Sequence, residues 1–283
     1  MKKVILSVSA MLFVGAAAFA QGNTSSVNQV GNTDTGIVNQ HGTTNGSTVD
    51  QLGDNNKSEV YQGIQPGLYT AVSNLADVKQ KGDHNGAFIS QSNHDNKAYQ
   101  TQTGDWNKAT VWQDQIAEAS HPSALGGHDT ATQTQTGNNN TATVDQGTTG
   151  NEKPTGLPFN ATQLGHVAGV LVPFGPHSEN SATQIQNGDN NVAYASQGGV
   201  KNVSLQTQTS PSGTTAADKN TSNHYQYGDE NNATSTQNGT KLTEDVLQIG
   251  NKNIATILQT GASHSSIAFS KGNTNTITVT QSN

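Results

Sequence analysis

The chain has 283 residues, a formal net charge of −7, no cysteine and only 12% charged residues. The acidic balance excludes the basic surface that nucleic acid or an anionic bilayer requires, and the missing cysteines exclude disulfides and thiolate metal centres. Apolar residues make up 30%, below the ~45–50% of an ordinary domain, so amides, Thr and small residues must do what an aliphatic core normally does.

Residues 1–20 read as a secretory signal peptide. Lys2 and Lys3 form a basic start, Val4 to Phe19 is apolar and small, and Ala18-Phe19-Ala20 is an A-x-A cleavage site before Gln21. The expectation is an exported chain without membrane insertion, since no later apolar run is long enough to span a bilayer.

From Gln21 onward the chain repeats. Gln29, Gln40, Gln51 and Gln62 fall in one column, Gly31, Gly42 and Gly53 in a second, and Asp34, Asn45 and Asn56 in a third. Gly36, Ser47 and Ser58 make a fourth. The unit is Q-x-G-x-x-N-x-(A/S)-x-x-x-Q, and a short fixed period dictates the architecture before any other feature. Later copies centre on Asn85 and Gln91, Asn107 and Gln113, Asn140 and Gln146, and Asn191 and Gln197. Asn231 and Gln237, Asn253 and Gln259, and Asn275 and Gln281 continue the series. About nineteen units are recognisable, with Asp114 to Ala124 a degenerate copy. Insertions near 63–73, 114–123, 152–174 and 209–219 interrupt the frame with Pro and Gly.

Within a unit, Asn to Gln alternates with period two, as in Asn107, Ala109, Val111 and Gln113. Residues two apart share one face of a strand. The inward face is therefore amide, small, aliphatic, amide. Gly82, Gly104, Gly137, Gly188, Gly228, Gly250 and Gly272 stand between strands, where a turn needs positive φ. The expected fold is all-β: a β-solenoid of strand–turn–strand rungs, two units and about 22 residues each, stacked at ~4.8 Å in a cross-β, amyloid-like manner. Stacking places each Asn and Gln over its counterpart, so the amides satisfy one another. An unpaired buried amide would cost several kcal/mol. The strongly β-forming Thr276-Ile277-Thr278-Val279-Thr280 and the first unit are expected to leave open edges, which soluble proteins normally protect.

The unit Q-x-G-x-x-N-x-A-x-x-x-Q, recurring over most of Gln21 to Gln281, resembles the curlin repeat of bacterial curli, a functional amyloid. The resemblance implies export through a dedicated outer-membrane pore, nucleated assembly into extracellular fibres, and a role in biofilm matrix and adhesion. It implies as partners further copies of the chain and a curli-type nucleator. The chain is read as major fibre subunit, with nucleator as the alternative within the family. Repeats follow the signal at once, where family members often carry an export segment, and they outnumber the familiar five.

Other chemistries are weaker. The histidines, His84 and His94 among them, read as solvated turn residues without a metal cluster, and no cofactor is expected. The Gly-Asp turns supply about one carboxylate each, too few for calcium, and read as charges that oppose premature association. Thr rows such as Thr130, Thr132 and Thr134 do not extend into the flat array that ice binding needs. Tyr61, Phe88, Tyr99, Trp112, Tyr194, Tyr225 and Phe269 are expected to point outward. Ser, His and Asp occur only at repeat or turn positions, so no enzyme is expected. A monomeric solenoid stalk or adhesin is the alternative to a fibre subunit.

Overall fold

The computed structural model describes residues 22–63, 71–113, 127–146 and 178–283. Residues 1–20, read from the sequence as a signal peptide, and most of the insertions near 63–73, 114–123 and 152–174 lie outside the described residues.

The fold is an all-β solenoid of parallel sheets. Ten strands form sheet I in the order β1 (Thr24–Val30), β4 (Gly46–Leu52), β7 (Leu75–Lys81), β10 (Lys97–Thr103), β12 (Thr130–Thr136), β14 (Ser181–Asn187), β16 (Val203–Thr209), β18 (Asn232–Thr240), β20 (Ile254–Ala262) and β22 (Thr276–Ser282). Nine form sheet II: β2 (Thr35–Gln40), β5 (Lys57–Gln62), β8 (Gly86–Gln91), β11 (Lys108–Gln113), β13 (Thr141–Gln146), β15 (Val192–Gly198), β17 (Thr221–Tyr227), β19 (Thr243–Ile249) and β21 (Ser265–Lys271). Ten and nine make the nineteen units counted in the sequence. A short sheet III, β3 (Gly42–Thr43), β6 (Ala71–Val72) and β9 (Asn93–His94), runs along one turn column.

Successive rungs pair like with like. Asn232 pairs with Ile254, and Ile254 with Thr276, steps of 22 residues. Insertions lengthen the step without moving the register. Gly46 pairs with Leu75, a step of 29. Thr130 pairs with Ser181, a step of 51, and Ala131 still meets Ala182. A slip of one residue would turn every inward amide to solvent, so the register is held wherever the chain re-enters the stack.

Three expectations need adjustment. The units on either side of the degenerate copy Asp114 to Ala124, which lies outside the described residues, are direct neighbours, since Ala98 pairs with Ala131. The insertion near 63–73 is not all loop, since Ala71–Val72 forms β6 and pairs with Gly42–Thr43. Most strands start one residue after Asn rather than at it. The Asn carbonyl instead accepts the first strand N–H of the preceding rung, as Asn107 O does from Gly86 N at 2.8 Å.

The core is thin. Small Ala at the third position, such as Ala76, Ala98, Ala131 and Ala182, is buried in one apolar cluster with Val49, Val60, Ile89, Val111 and Val144. Close approach of two sheets needs such small residues, and most of the remaining interior is amide.

Candidate assembly site: the amide ladders and the open rungs

Gln29, Gln51, Gln80, Gln102, Gln135, Gln186, Gln208, Gln237, Gln259 and Gln281 stand in one column of sheet I. Each Nε2 donates to Oε1 of the next, at 2.7–2.9 Å. Gln40, Gln62, Gln91, Gln113, Gln146, Gln197, Gln226 and Gln248 repeat the pattern in sheet II at 2.9–3.0 Å. The column closes at Ser270. The second Nε2 proton goes to a strand carbonyl of the facing sheet, as from Gln91 to Leu75 O and from Gln135 to Lys108 O, both 3.0 Å. Both donors of the buried amide are therefore used.

The Asn columns run the other way. In sheet II, Asn56 N donates to Asp34 Oδ1, and Asn85, Asn107, Asn140 and Asn191 follow with backbone N to the preceding Oδ1 at 2.8–3.0 Å. In sheet I the series includes Asn45, Asn231, Asn253 and Asn275. The side-chain NH2 reaches a turn carbonyl of the following rung, as from Asn140 Nδ2 to Gly188 O at 2.7 Å. Asn140 and Gln146 are fully buried. Each bond contributes only about 0.5–1.5 kcal/mol net, so the ladders act chiefly as a register lock.

Sequence reasoning missed three features inside the stack. The fifth position, expected to be small or aliphatic, holds a third ladder: Gln100 to Gln133 to Gln184 to Gln206, each 2.9 Å. Further along, His224 Nε2 meets Glu244 Oε1 at 2.8 Å, both fully buried. Ser204 Oγ lies 2.8 Å from His224 Nδ1 and Ser235 Oγ 3.1 Å from Nε2. The residue before the first-position Asn is left-handed in most units, including Trp106 (φ 59°), Glu230 (φ 56°) and Lys252 (φ 59°). That conformation costs about 1–2 kcal/mol for a non-glycine residue.

The turn glycines sit as expected. Gly31, Gly42, Gly53, Gly82, Gly104, Gly137, Gly188, Gly228, Gly250 and Gly272 all have positive φ. Gly82 shows why: a Cβ there would lie 2.3 Å from the Gly104 carbonyl oxygen of the next rung. The following Asp or Asn caps the column, as Asp83 Oδ1 accepts from Asp54 N at 2.8 Å.

Two surface groupings depart from expectation. The outward aromatics of sheet II form rows on neighbouring strands, their rings tilted against one another. Tyr61, Phe88 and Trp112 follow one another at 5.8 and 4.6 Å. Tyr225 is buried, packed with Leu247 and flanked by Tyr194, Tyr227, Ile249 and Phe269. Burial pushes the Tyr227 hydroxyl up to about 12 and holds Tyr194 and Tyr225 well above the usual phenol range, the charge of Asp145 adding to it at Tyr194 and that of Asp245 at Tyr225. The histidines are not all isolated either. Stacked turns bring His94, Asp95 and His128 together, with ligand atoms all within 4.8 Å.

The end rungs are open among the described residues. Val27 of β1 is 38% exposed, while Val49, next in its column, is 0% exposed. Gln29, Gln40, Asn275 and Gln281 are only half-buried or less, because each has a neighbour on one side alone.

No family model matches the chain, and no curated protein matches it. The likeness to the curlin repeat rests on the repeat residues themselves.

Proposed function

We propose that this chain is a secreted structural subunit that self-assembles end to end into curli-like extracellular amyloid fibres of a biofilm matrix, with surface adhesion. The observation that carries the reading is the polarity of the ladders. In every Gln–Gln bond of the two long columns the lower-numbered residue donates, so Oε1 of Gln29 and Gln40 faces one open end. The opposite end presents Gln281 Nε2, whose one proton already reaches Ser265 O at 3.0 Å. Donor faces acceptor only when copies join head to tail. Head-to-head contact sets acceptor against acceptor. The partners are further copies of the chain, with a curli-type nucleator and an outer-membrane secretion pore implied by the repeat.

Electron microscopy of the purified chain from residue 21, incubated overnight, tests the reading. Unbranched fibres with a meridional spacing near ~4.8 Å are expected. The Tyr61–Phe88–Trp112 row favours a second reading, a monomeric adhesin that grips a ligand through this face. A chain that stays monomeric for days at high concentration points to that reading.

A further inference from the structure

We propose that successive copies join with a half-turn about the solenoid axis, so that β1 of each new copy extends sheet II of its predecessor and β2 extends sheet I. The proposal rests on the end-to-end reading and fixes its junction. The described rungs alternate between the sheets, and their number is odd: ten strands in sheet I and nine in sheet II. The stack opens with β1 in sheet I and closes with β22 in sheet I. The next free place therefore lies in sheet II, over β21. A copy docked without rotation sets β1 over β22 and leaves a slot one strand wide, about 4.8 Å, between β21 and the new β2. The backbone groups lining that slot have no partner. After a half-turn β1 fills it.

Side chains agree with the rotated junction. Ser270 Oγ is buried without a hydrogen bond at the close of the sheet II column. It comes over Gln29, whose Oε1 accepts. Gln281 comes over Gln40 and continues the glutamine column with the same donor direction. Ile277, the one aliphatic larger than Ala at the third position, comes over Gly36, the smallest residue at that position. The two turns that would stack are twins. Gly272-Asn273-Thr274-Asn275-Thr276 matches Gly31-Asn32-Thr33-Asp34-Thr35 at all but one residue. Thr33 and Thr274 both have φ 58°, and each Oγ1 donates to the preceding Asn carbonyl at 2.7 Å. In the column as it stands, Asn32 N donates to Asp54 Oδ1 at 2.8 Å. Asn273 N would do the same to Asn32 Oδ1 of the new copy. The consequence is a fibre with a rise of about 46 Å per subunit, from nineteen strands at half of ~4.8 Å. Its aromatic face alternates sides from one subunit to the next.

Cysteine cross-linking tests this, because the chain has none of its own. Thr24, Thr35 and Thr276 are exposed on outer faces, and residues paired on adjacent parallel strands lie within disulfide reach. Fibres of Thr35→Cys/Thr276→Cys, oxidised after assembly, are expected to run as covalent multimers on a non-reducing gel. Those of Thr24→Cys/Thr276→Cys are expected to stay monomeric. The opposite pattern, or fibres in which neither pair links, overturns the half-turn junction while leaving assembly intact. If neither variant nor the parent chain forms fibres, the assembly reading itself fails.

A second inference rests on a different observation. We infer that His94, Asp95 and His128 bind a zinc ion on the outside of the turn column. Asp95 Oδ2 lies 3.2 Å from His94 Nδ1 and 3.9 Å from His128 Nε2. Tetrahedral zinc ligands stand about 3.3 Å apart, given bonds of ~2.0–2.1 Å. The backbone holds the set, with His128 N donating to His94 O at 3.0 Å. Calorimetric titration of the monomer with zinc chloride is expected to give one site per chain, at least tenfold weaker in His128→Ala. No binding, or equal binding by the variant, overturns it.

Discussion

Gln133 donates its side-chain amide to Gln184 at 2.9 Å although 51 residues of chain separate them. The same bond, at the same length, joins Gln184 to Gln206, only 22 residues on. Insertion length is thus irrelevant to the stack. The chain leaves the column, returns, and is accepted only in the register that pairs amide with amide.

Breaking that ladder in the middle strands a donor on Gln100 and an acceptor on Gln184. Gln133→Val is expected to destabilise the monomer by about 3 kcal/mol, since each stranded buried group costs about 1–3. Replacing Gln100, Gln133, Gln184 and Gln206 together by Val removes donors and acceptors alike and is expected to recover most of the loss. Guanidinium unfolding midpoints measure both. A quadruple variant weaker than the single one contradicts the ladder account.

His224 and Glu244 form a closed pair in the core, and Glu244 Oε2 is buried without a hydrogen bond. Removing one partner leaves the other uncompensated, which costs about 3–5 kcal/mol. His224→Val alone is expected to lose that much in thermal or chemical unfolding. His224→Val with Glu244→Ala restores the ordinary small and aliphatic pattern of the unit and is expected to be close to wild type. Equal losses in the single and double variants would argue against a coupled pair.

Asp245 lies buried beside the tyrosine cluster. Burial holds its carboxyl above the ordinary range, Asn223 partly offsets this, and the charge of Glu244 adds to it. A raised folded-state pKa means the acid form suits the fold. The contribution is full below the unfolded pKa and is lost as pH rises through the folded one. Asp245→Asn is therefore expected to raise the unfolding midpoint at pH 7, with the gain vanishing below about pH 4, the ordinary Asp value. A gain that persists at pH 3 rules out this origin.

Assembly should depend on the same columns as folding. Replacing Asn253 and Gln259 by Leu removes one rung's amides from both columns of sheet I. A longer lag and a lower fibre yield by light scattering are expected, because the widened rung no longer pairs with its neighbours. Unchanged kinetics would separate assembly from the ladders.

Much of this was legible in the sequence. The period of Gln29, Gln40, Gln51 and Gln62 alone gives the strand count, the turn positions and the columns of amides, because a repeat forces like residues over like. What escaped lies where that logic is silent. Gln100 and Gln133 occupy a position that Val or Ile fills in neighbouring units, so the consensus hides them. His224 and Glu244 lie at different positions of their units, and only the diagonal step between neighbouring strands of sheet II makes them partners. Trp106, Glu230 and Lys252 have no preference for a left-handed backbone, so nothing in their chemistry marks the strained place that the turn imposes. His94 and His128 meet because Gly127 pairs with His94 in the turn column, 33 residues on rather than 22, which the 22-residue period does not reveal.

The most direct test of the whole account is a cryo-electron microscopy reconstruction of the incubated chain. The account predicts an uninterrupted column of side-chain amides that crosses from Gln281 of one copy into the first rungs of the next, at the same spacing as within a copy. A fibre whose copies meet through their outer faces or insertions, with the end rungs left bare, would contradict it.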